Sequence, residues 1–300
     1  METSQNILGM LSGQLANAVE RVGPALVLVN GRQRLPASGV VFDHELIITA
    51  DHVLEREEDL SIETHADQTM AAQFVGRDPA SDLAVLRVPN LGLDPAPTAA
   101  GAARVGQLVL AVGRPSSGGP MASLGVISAS GGPLRTRRGA AVDRYLQTDA
   151  TPYPGFSGGP LVDSMGTVVG ILTTGLVSGT ALAIPTDLAW QIGRTLSQQG
   201  HIKRGFLGIA SQPIYLPAAQ RGNLTQERGL LVVRVEEGSP AEQGGMLIGD
   251  VLVAMNNQTI TDTDQLQAIL AGGVVGQALP VTVLRGGSVQ TIQVTVGERE

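Results

Sequence analysis

The amino-acid sequence predicts a mostly β protein built from two units, on three observations. Of its 300 residues, 39 are glycine and 17 proline, which suits many short strands joined by turns better than long helices. Aromatic residues make up only 3% of the chain, so aliphatic side chains must fill the core. Short apolar runs bounded by glycine, proline or polar residues recur along most of the sequence, and a chain of this length suits about two domains, each with its own core.

The N-terminus is the exception to the β pattern. Ile7, Leu8, Leu11, Leu15, Val19 and Val22 recur close to helical spacing, with Asn17 and Glu20 among the polar residues between them, so an amphipathic helix is expected over residues 1–22. Such a helix packs on its own domain or forms an oligomer contact. From Pro24 the pattern changes to strands, expected at 25–29, 39–42, 46–50, 73–76, 83–88, 108–112, 125–128, 145–148, 168–173 and 181–184. Repeated short strands without intervening helices imply antiparallel barrels or a sandwich. The Gly/Pro/Ser-rich segments 113–120 and 130–139 read as exposed, mobile loops.

Asp187 to Gln199 is helical in pattern, with Leu188, Ile192 and Leu196 on one face, Thr186 or Asp187 as a cap, and Gly200 as the stop. These boundaries give a first domain over 23–200, a linker over 201–205 and a second unit over 206–298. The second unit has expected strands at 229–235, 251–255, 279–284 and 291–296. It also has a short helix starting near Ser239-Pro240 and a longer one from Asp262 or Thr263 to Leu270. No repeat relates the two units.

Composition removes several function classes. The net charge is −7, Lys203 is the only lysine, and no basic patch with interleaved aromatics occurs, so nucleic acid is not an expected partner. A Ser-Lys dyad is disfavoured because that lysine falls in the linker. With no cysteine there is no disulfide, thiol nucleophile or Cys-based zinc site. No run reaches the roughly 18 apolar residues of a membrane span, and Met1-Glu2-Thr3-Ser4 lacks the charged and apolar regions of a secretory signal.

The stretch that carries chemistry is Gly155-Phe156-Ser157-Gly158-Gly159-Pro160, at a turn between strand-like segments. A serine between glycines suits an acyl-transfer nucleophile, given a base for its proton and backbone N–H groups for the oxyanion. The same letters fit a plain Gly/Ser turn, or the G-x-S-x-G elbow of α/β-hydrolases, where the base follows the serine. Of the four histidines, His44, His52, His65 and His201, only His201 follows Ser157, and it falls in the linker. His44 and His65 sit in polar surroundings and read as solvated. His52 comes just after the apolar strand 46–50, and Asp82 opens another apolar strand 30 residues later. His, then Asp, then Ser is the order of chymotrypsin-like proteases. In that arrangement Asp82 orients His52, His52 takes the proton of Ser157, and the N–H groups of Gly155 and Ser157 form the oxyanion hole.

These residues resemble the HtrA (Deg) family of PDZ-containing serine proteases. The matching pieces are 48–53 (Ile-Thr-Ala-Asp-His-Val), 81–86 (Ser-Asp-Leu-Ala-Val-Leu), 147–150 (Gln-Thr-Asp-Ala), 155–160 and 183–185 (Ala-Ile-Pro). The resemblance spans roughly 24–298. It implies a chymotrypsin-like double β-barrel protease domain followed by a C-terminal α+β PDZ domain, cutting unfolded or misfolded proteins without a cofactor or metal.

Two residues depart from the family pattern. Phe156 stands where the family usually has Asn and trypsin-like enzymes Asp, so the loop lacks a polar anchor there. Asp51 stands before the histidine, where the family usually has a small or amide-bearing residue. By the same resemblance, Thr151–Pro154 and Ile171–Thr174 wall an uncharged specificity pocket suited to small or medium apolar side chains. A protease-like scaffold or chaperone that binds peptides without cleaving them is the alternative.

In the second unit, Gly205-Phe206-Leu207-Gly208-Ile209 resembles the carboxylate-binding loop of PDZ domains, which add a peptide C-terminus as an extra strand. Phe206, Leu207, Gly208 and Ile209 would then bind the peptide, with N–H groups of Leu207, Gly208 and Ile209 taking its carboxylate. Leu266, Ile269 and Leu270 would line the side-chain pocket or simply belong to the core. The resemblance further implies a homo-oligomer, a trimer in the family, although residues 1–23 contain no aromatic side chain, and an extracytoplasmic location in the periplasm or cell envelope.

Overall fold

A computed structural model describes residues 2–135, 141–177, 179–221, 224–271 and 273–298. The chain divides into two compact units, Met1–Ile202 and Lys203–Glu300.

The first unit opens with helix α1 (Glu2–Val22). Six strands follow: β1 (Leu26–Asn30), β2 (Ala37–Asp43), β3 (Leu46–Ala50), β4 (Leu60–Glu63), β5 (Thr69–Asp78) and β6 (Leu83–Arg87). They close into an antiparallel barrel in the order β1-β2-β3-β6-β5-β4. The next eight are β7 (Leu108–Gly113), β8 (Met121–Gly131), the short pair β9 (Leu134–Arg135) and β10 (Ala141–Val142), β11 (Tyr145–Thr148), β12 (Pro160–Asp163), β13 (Val168–Thr173) and β14 (Leu182–Pro185). All but β9 and β10 close a second barrel, β11-β14-β13-β12-β7-β8. Closure pairs every strand on both sides and leaves no exposed edge. The expected double barrel is therefore present.

Near-continuous apolar strands explain the interior. β3 is buried along its whole length, as is β13, because one side of each faces a barrel core and the other faces neighbouring packing. Helix α2 (Thr186–Gln199) lies on this core, with Trp190 5.5 Å from Phe42 between ring centroids. Gly193 permits that approach, since a Cβ there would stand 2.9 Å from Phe42 Cζ. Gly200 ends the helix in the left-handed region at φ 78°.

Several expectations need correction. Thr186 and Asp187 do not cap α2: the N-cap is Pro185, Thr186 Oγ1 donates to Val168 O, and Asp187 pairs with Arg144 at 2.7 Å. The segment 113–120 is not wholly exposed, because Gly113, Arg114 and Pro115 are buried. Residues 134–135 and 141–142 form a strand pair, while 136–140 lie outside the described residues. Strand β4, alternating buried and half-buried, was not anticipated. In α1, Ala18 and Val22 are buried and Leu15 and Val19 pack on the core, but Ile7, Leu8 and Met10 are exposed.

The second unit contains β15 (Gly205–Phe206), β16 (Ile209–Tyr215), β17 (Arg228–Val235), helix α3 (Pro240–Gln243), β18 (Val251–Met255), β19 (Gln258–Thr259), helix α4 (Thr263–Ala271), β20 (Ala278–Arg285), β21 (Ser288–Thr295) and β22 (Gly297–Glu298). Its main sheet runs β16-β17-β18-β20-β21, with β16 on one edge. Both helices begin on side-chain caps, Ser239 Oγ accepting from Glu242 N–H and Asp262 Oδ1 from Gln265 N–H.

Candidate active site

His52 sits in a short 3₁₀ turn, Asp51–Val53, directly after β3, rather than on a strand. The residue before it, Asp51, is buried and ion-paired with Arg77 at 3.1 Å. Asp82 precedes β6, which pairs with β3, so the two strands bring His52 and Asp82 side by side. Asp82 adopts φ 57°, a left-handed conformation that a short polar residue tolerates. Its own C=O accepts from Asp51 N–H at 3.0 Å.

The Asp82 carboxylate holds the imidazole firmly. Oδ2 lies 2.6 Å from His52 Nδ1, and Oδ1 accepts from the His52 backbone N–H at 2.9 Å. A carboxylate only accepts, so Nδ1 carries the proton and Nε2 is left as a base. Thr173 Oγ1 donates a further hydrogen bond to Oδ2. The Asp82 side chain is 5% exposed and that of His52 25%, so the acid is shielded while the imidazole keeps one side open.

Gly175 closes this arrangement. A Cβ on it would come within 2.6 Å of both Asp82 Oδ2 and His52 Nδ1, so only glycine fits. Gly175 is not singled out by the sequence, and Thr173, expected with Ile171–Thr174 in the wall of the specificity pocket, is buried against Asp82, leaving only Thr174 of that run on the cleft. Their signal is a Thr-Thr-Gly run at the end of β13, which gains meaning only once that strand end is placed against Asp82.

Ser157 lies in the second barrel, before β12, and is 7% exposed. It lines the same cleft as His52, together with Arg32, Arg34, Leu35, Glu55, Pro152–Gly155 and Thr174, around roughly 420 Å³. Its hydroxyl hydrogen-bonds Thr174 Oγ1 at 3.1 Å rather than His52. The backbone N–H groups of Gly155 and Ser157 have no acceptor among the described residues, whereas Phe156 N–H donates to Tyr153 O at 3.0 Å.

Phe156 finds full cover. It is 0% exposed within the second barrel's core and meets Tyr153 edge-on at 5.4 Å between centroids. Gly113 makes the room, because a Cβ there would stand 2.5 Å from Phe156 Cδ1.

In the second unit, Gly208 adopts φ 78°, and its α-carbon packs against Ser239. The C=O groups of Leu207 and Gly208 accept from Ala241 and Glu236 N–H, both at 2.8 Å, while their own N–H groups have no acceptor among the described residues. Leu207, Leu266, Ile269 and Leu270 are all buried in this unit's core, and Phe206 and Ile209 are half-buried. The α4 side chains are thus packed into the core of this unit.

Residues 37–171 match the family of trypsin-like peptidase domains, and residues 205–296 that of PDZ domains. The serine endoprotease DegS of Haemophilus influenzae is 31% identical, over 94% of this chain and 87% of that protein. A probable periplasmic serine endoprotease, DegP-like, of Ectopseudomonas mendocina is 31% identical over 89% of this chain. This chain spans 58% of that relative's length. Among solved structures, the HtrA-type protease AlgW with a decapeptide superposes with a TM-score of 0.80 at 29% identity, covering 95% of this chain and 99% of that one. A serine endoprotease from Yersinia pestis gives a TM-score of 0.80 at 31% identity, covering 95% and 98%.

Proposed function

The chain belongs to the HtrA family of PDZ-containing serine proteases, and on that premise we propose that it is itself a serine endopeptidase that hydrolyses unfolded or misfolded polypeptides. The observation that carries the reading is the doubly bonded Asp82–His52 pair facing the cleft that Ser157 also lines.

In this mechanism Ser157 Oγ turns from Thr174 to His52 about its Cα–Cβ bond and attacks the scissile carbonyl as Nε2 takes its proton. The N–H groups of Gly155 and Ser157 receive the oxyanion. The imidazolium, stabilised by Asp82, then protonates the leaving amine, and water releases the acyl group by the same steps in reverse order of partners. No charged residue occurs among Pro152, Tyr153, Pro154 and Thr174 on the second-barrel side of the cleft, which suits a small or medium apolar side chain before the cut. The PDZ unit binds peptide C-termini by strand addition at β16, with the free N–H groups beside Gly208 taking the carboxylate.

One observation favours a second reading, a peptide-binding scaffold without cleavage: the Ser157 hydroxyl rests on Thr174. The two readings separate on an unfolded, reduced and alkylated protein offered as substrate. Cleavage by the wild type and none by Ser157→Ala supports the protease; binding without cleavage by both supports the scaffold.

Family membership also supports a homotrimer, which sedimentation of the intact chain tests. Relatives named as periplasmic support an extracytoplasmic location, in periplasm or cell envelope, which cell fractionation tests.

A further inference from the structure

We infer that Arg77, on β5 of the first barrel, is a positioning residue for the reaction: by pairing with the buried carboxylate of Asp51 it holds the turn that carries His52 against Asp82. The inference rests on the endopeptidase reading.

The Asp51 side chain is 3% exposed, and a carboxylate so buried keeps its charge only against a cation. Arg77 supplies one, its Nη1 standing 3.1 Å from Asp51 Oδ1. Strand register explains the reach. Arg77 lies opposite Ala84 of β6, and Ala84 opposite Thr49 of β3, so Arg77 stands two strands, or about 10 Å, from the end of β3. The two side chains together cover that span, and their ion pair crosses the beginning of β6, the strand end that Asp82 precedes. Two further contacts direct the guanidinium. Its Nη2 pairs with Glu57 at 3.0 Å, and its central carbon stands 4.9 Å from the centre of the Phe74 ring on the same strand.

What the pair fixes is the turn itself. Asp51 N–H donates to Asp82 O at 3.0 Å, Asp51 O accepts from Leu54 N–H at 3.0 Å, and the next N–H, that of His52, donates to Asp82 Oδ1 at 2.9 Å. A side chain drawn out of place at Asp51 disturbs all three bonds, and with them the point from which the His52 ring starts. The two ends of the pair are unequal. Removing Asp51 leaves a guanidinium that is 31% exposed and still meets Glu57, whereas removing Arg77 takes a cation from a buried acid, which then turns towards water or takes up a proton and seeks an acceptor. A small or amide-bearing residue before the histidine would need no counter-charge; Asp51 makes Arg77 part of the site's support. Arg77 does not line the cleft, so it acts through Asp51 rather than on substrate.

The test compares Arg77→Met with the double variant Asp51→Asn/Arg77→Met, which removes both charges. A misplacement of about 1 Å costs about 10²-fold in rate, so Arg77→Met should lower kcat by about 10- to 10²-fold, with KM within about threefold of wild type. Fluorophosphonate labelling of Ser157 should slow in parallel. The double variant should recover at least half of the loss on a logarithmic scale, because no stranded carboxylate is left to displace the turn. Proton NMR reads the same event directly: the low-field signal of His52 Nδ1–H should shift or broaden in Arg77→Met and return in the double variant. A role in stability alone would lower the thermal midpoint and leave kcat and this signal unchanged. If Arg77→Met does not fold, Arg77→Gln, neutral but still a hydrogen-bond donor to the carboxylate, carries the same comparison. A folded Arg77 variant with kcat and labelling rate within about threefold of wild type overturns the inference alone, as does a double variant no more active than the single one. A wild type that the probe never labels overturns the endopeptidase reading and this inference with it.

Discussion

Asp82 and His52 are joined twice, Oδ2 to the ring Nδ1 at 2.6 Å and Oδ1 to the backbone N–H at 2.9 Å. The ring contact selects the tautomer, and the backbone contact fixes where the ring starts. Asp82→Asn keeps the shape but puts an amide N–H against the ring, stabilising the wrong tautomer. Turnover should fall about 10⁴-fold. Steady-state kinetics on an unfolded substrate measures this, and a loss below about tenfold removes Asp82 from the orienting role.

Gly175→Ala should inactivate without unfolding. The added methyl would stand 2.6 Å from both Asp82 Oδ2 and His52 Nδ1, so the pair must separate. A misplacement of about 1 Å costs about 10²-fold in rate. The expected result is a kcat loss of at least that size with a thermal midpoint near wild type; an active variant would show that the pair has room to spare.

Phe156→Ala should destabilise the first unit by about 3–5 kcal/mol, because a fully buried ring is lost from the second barrel's core. Urea denaturation followed by Trp190 fluorescence reads this unit specifically, since Trp190 is the chain's only tryptophan. A change under about 1 kcal/mol would mean that the ring is not the loop's anchor.

The second unit carries an acid-sensitive link. Burial pushes the Asp250 carboxyl up, but hydrogen bonds from the Arg285 guanidinium and Leu247 N–H, with the charge of Arg285, outweigh it and hold the pKa below its ordinary value. A depressed carboxyl contributes stability that is fully present above its unfolded pKa of about 3.9 and is lost as pH falls through the lower folded value. Protection of the β18–β20 amides from hydrogen exchange should therefore weaken as pH falls below about 4, after correction for intrinsic exchange rates. Asp250→Asn should cost about 3 kcal/mol at pH 7 and flatten that dependence. Equal pH profiles in both proteins would contradict this.

Much of the fold was legible because strands write their burial locally. β3, β11, β13 and β18 have the boundaries that apolar runs and turn residues indicate. β4 was not legible: its four residues alternate weakly and gain their place only by pairing with β1 and β5. In the site, the order of His52, Asp82 and Ser157 could be read from the chain alone. The contact of Thr173 with Asp82 and the role of Gly175 could not, since each acts on residues 91 or more positions away that only folding brings near. Phe156 shows the same limit in reverse. Sequence marks it as a missing polar anchor, whereas packing against Gly113 and Tyr153 turns it into an apolar one.

The central claim is that Ser157 is a nucleophile activated by His52 and Asp82, and mass spectrometry of the fluorophosphonate-treated intact chain tests it most directly. The account predicts a single adduct on Ser157 in the wild type, none in Ser157→Ala, and far slower labelling in His52→Ala. No adduct in the wild type, or one that persists in Ser157→Ala, would contradict it.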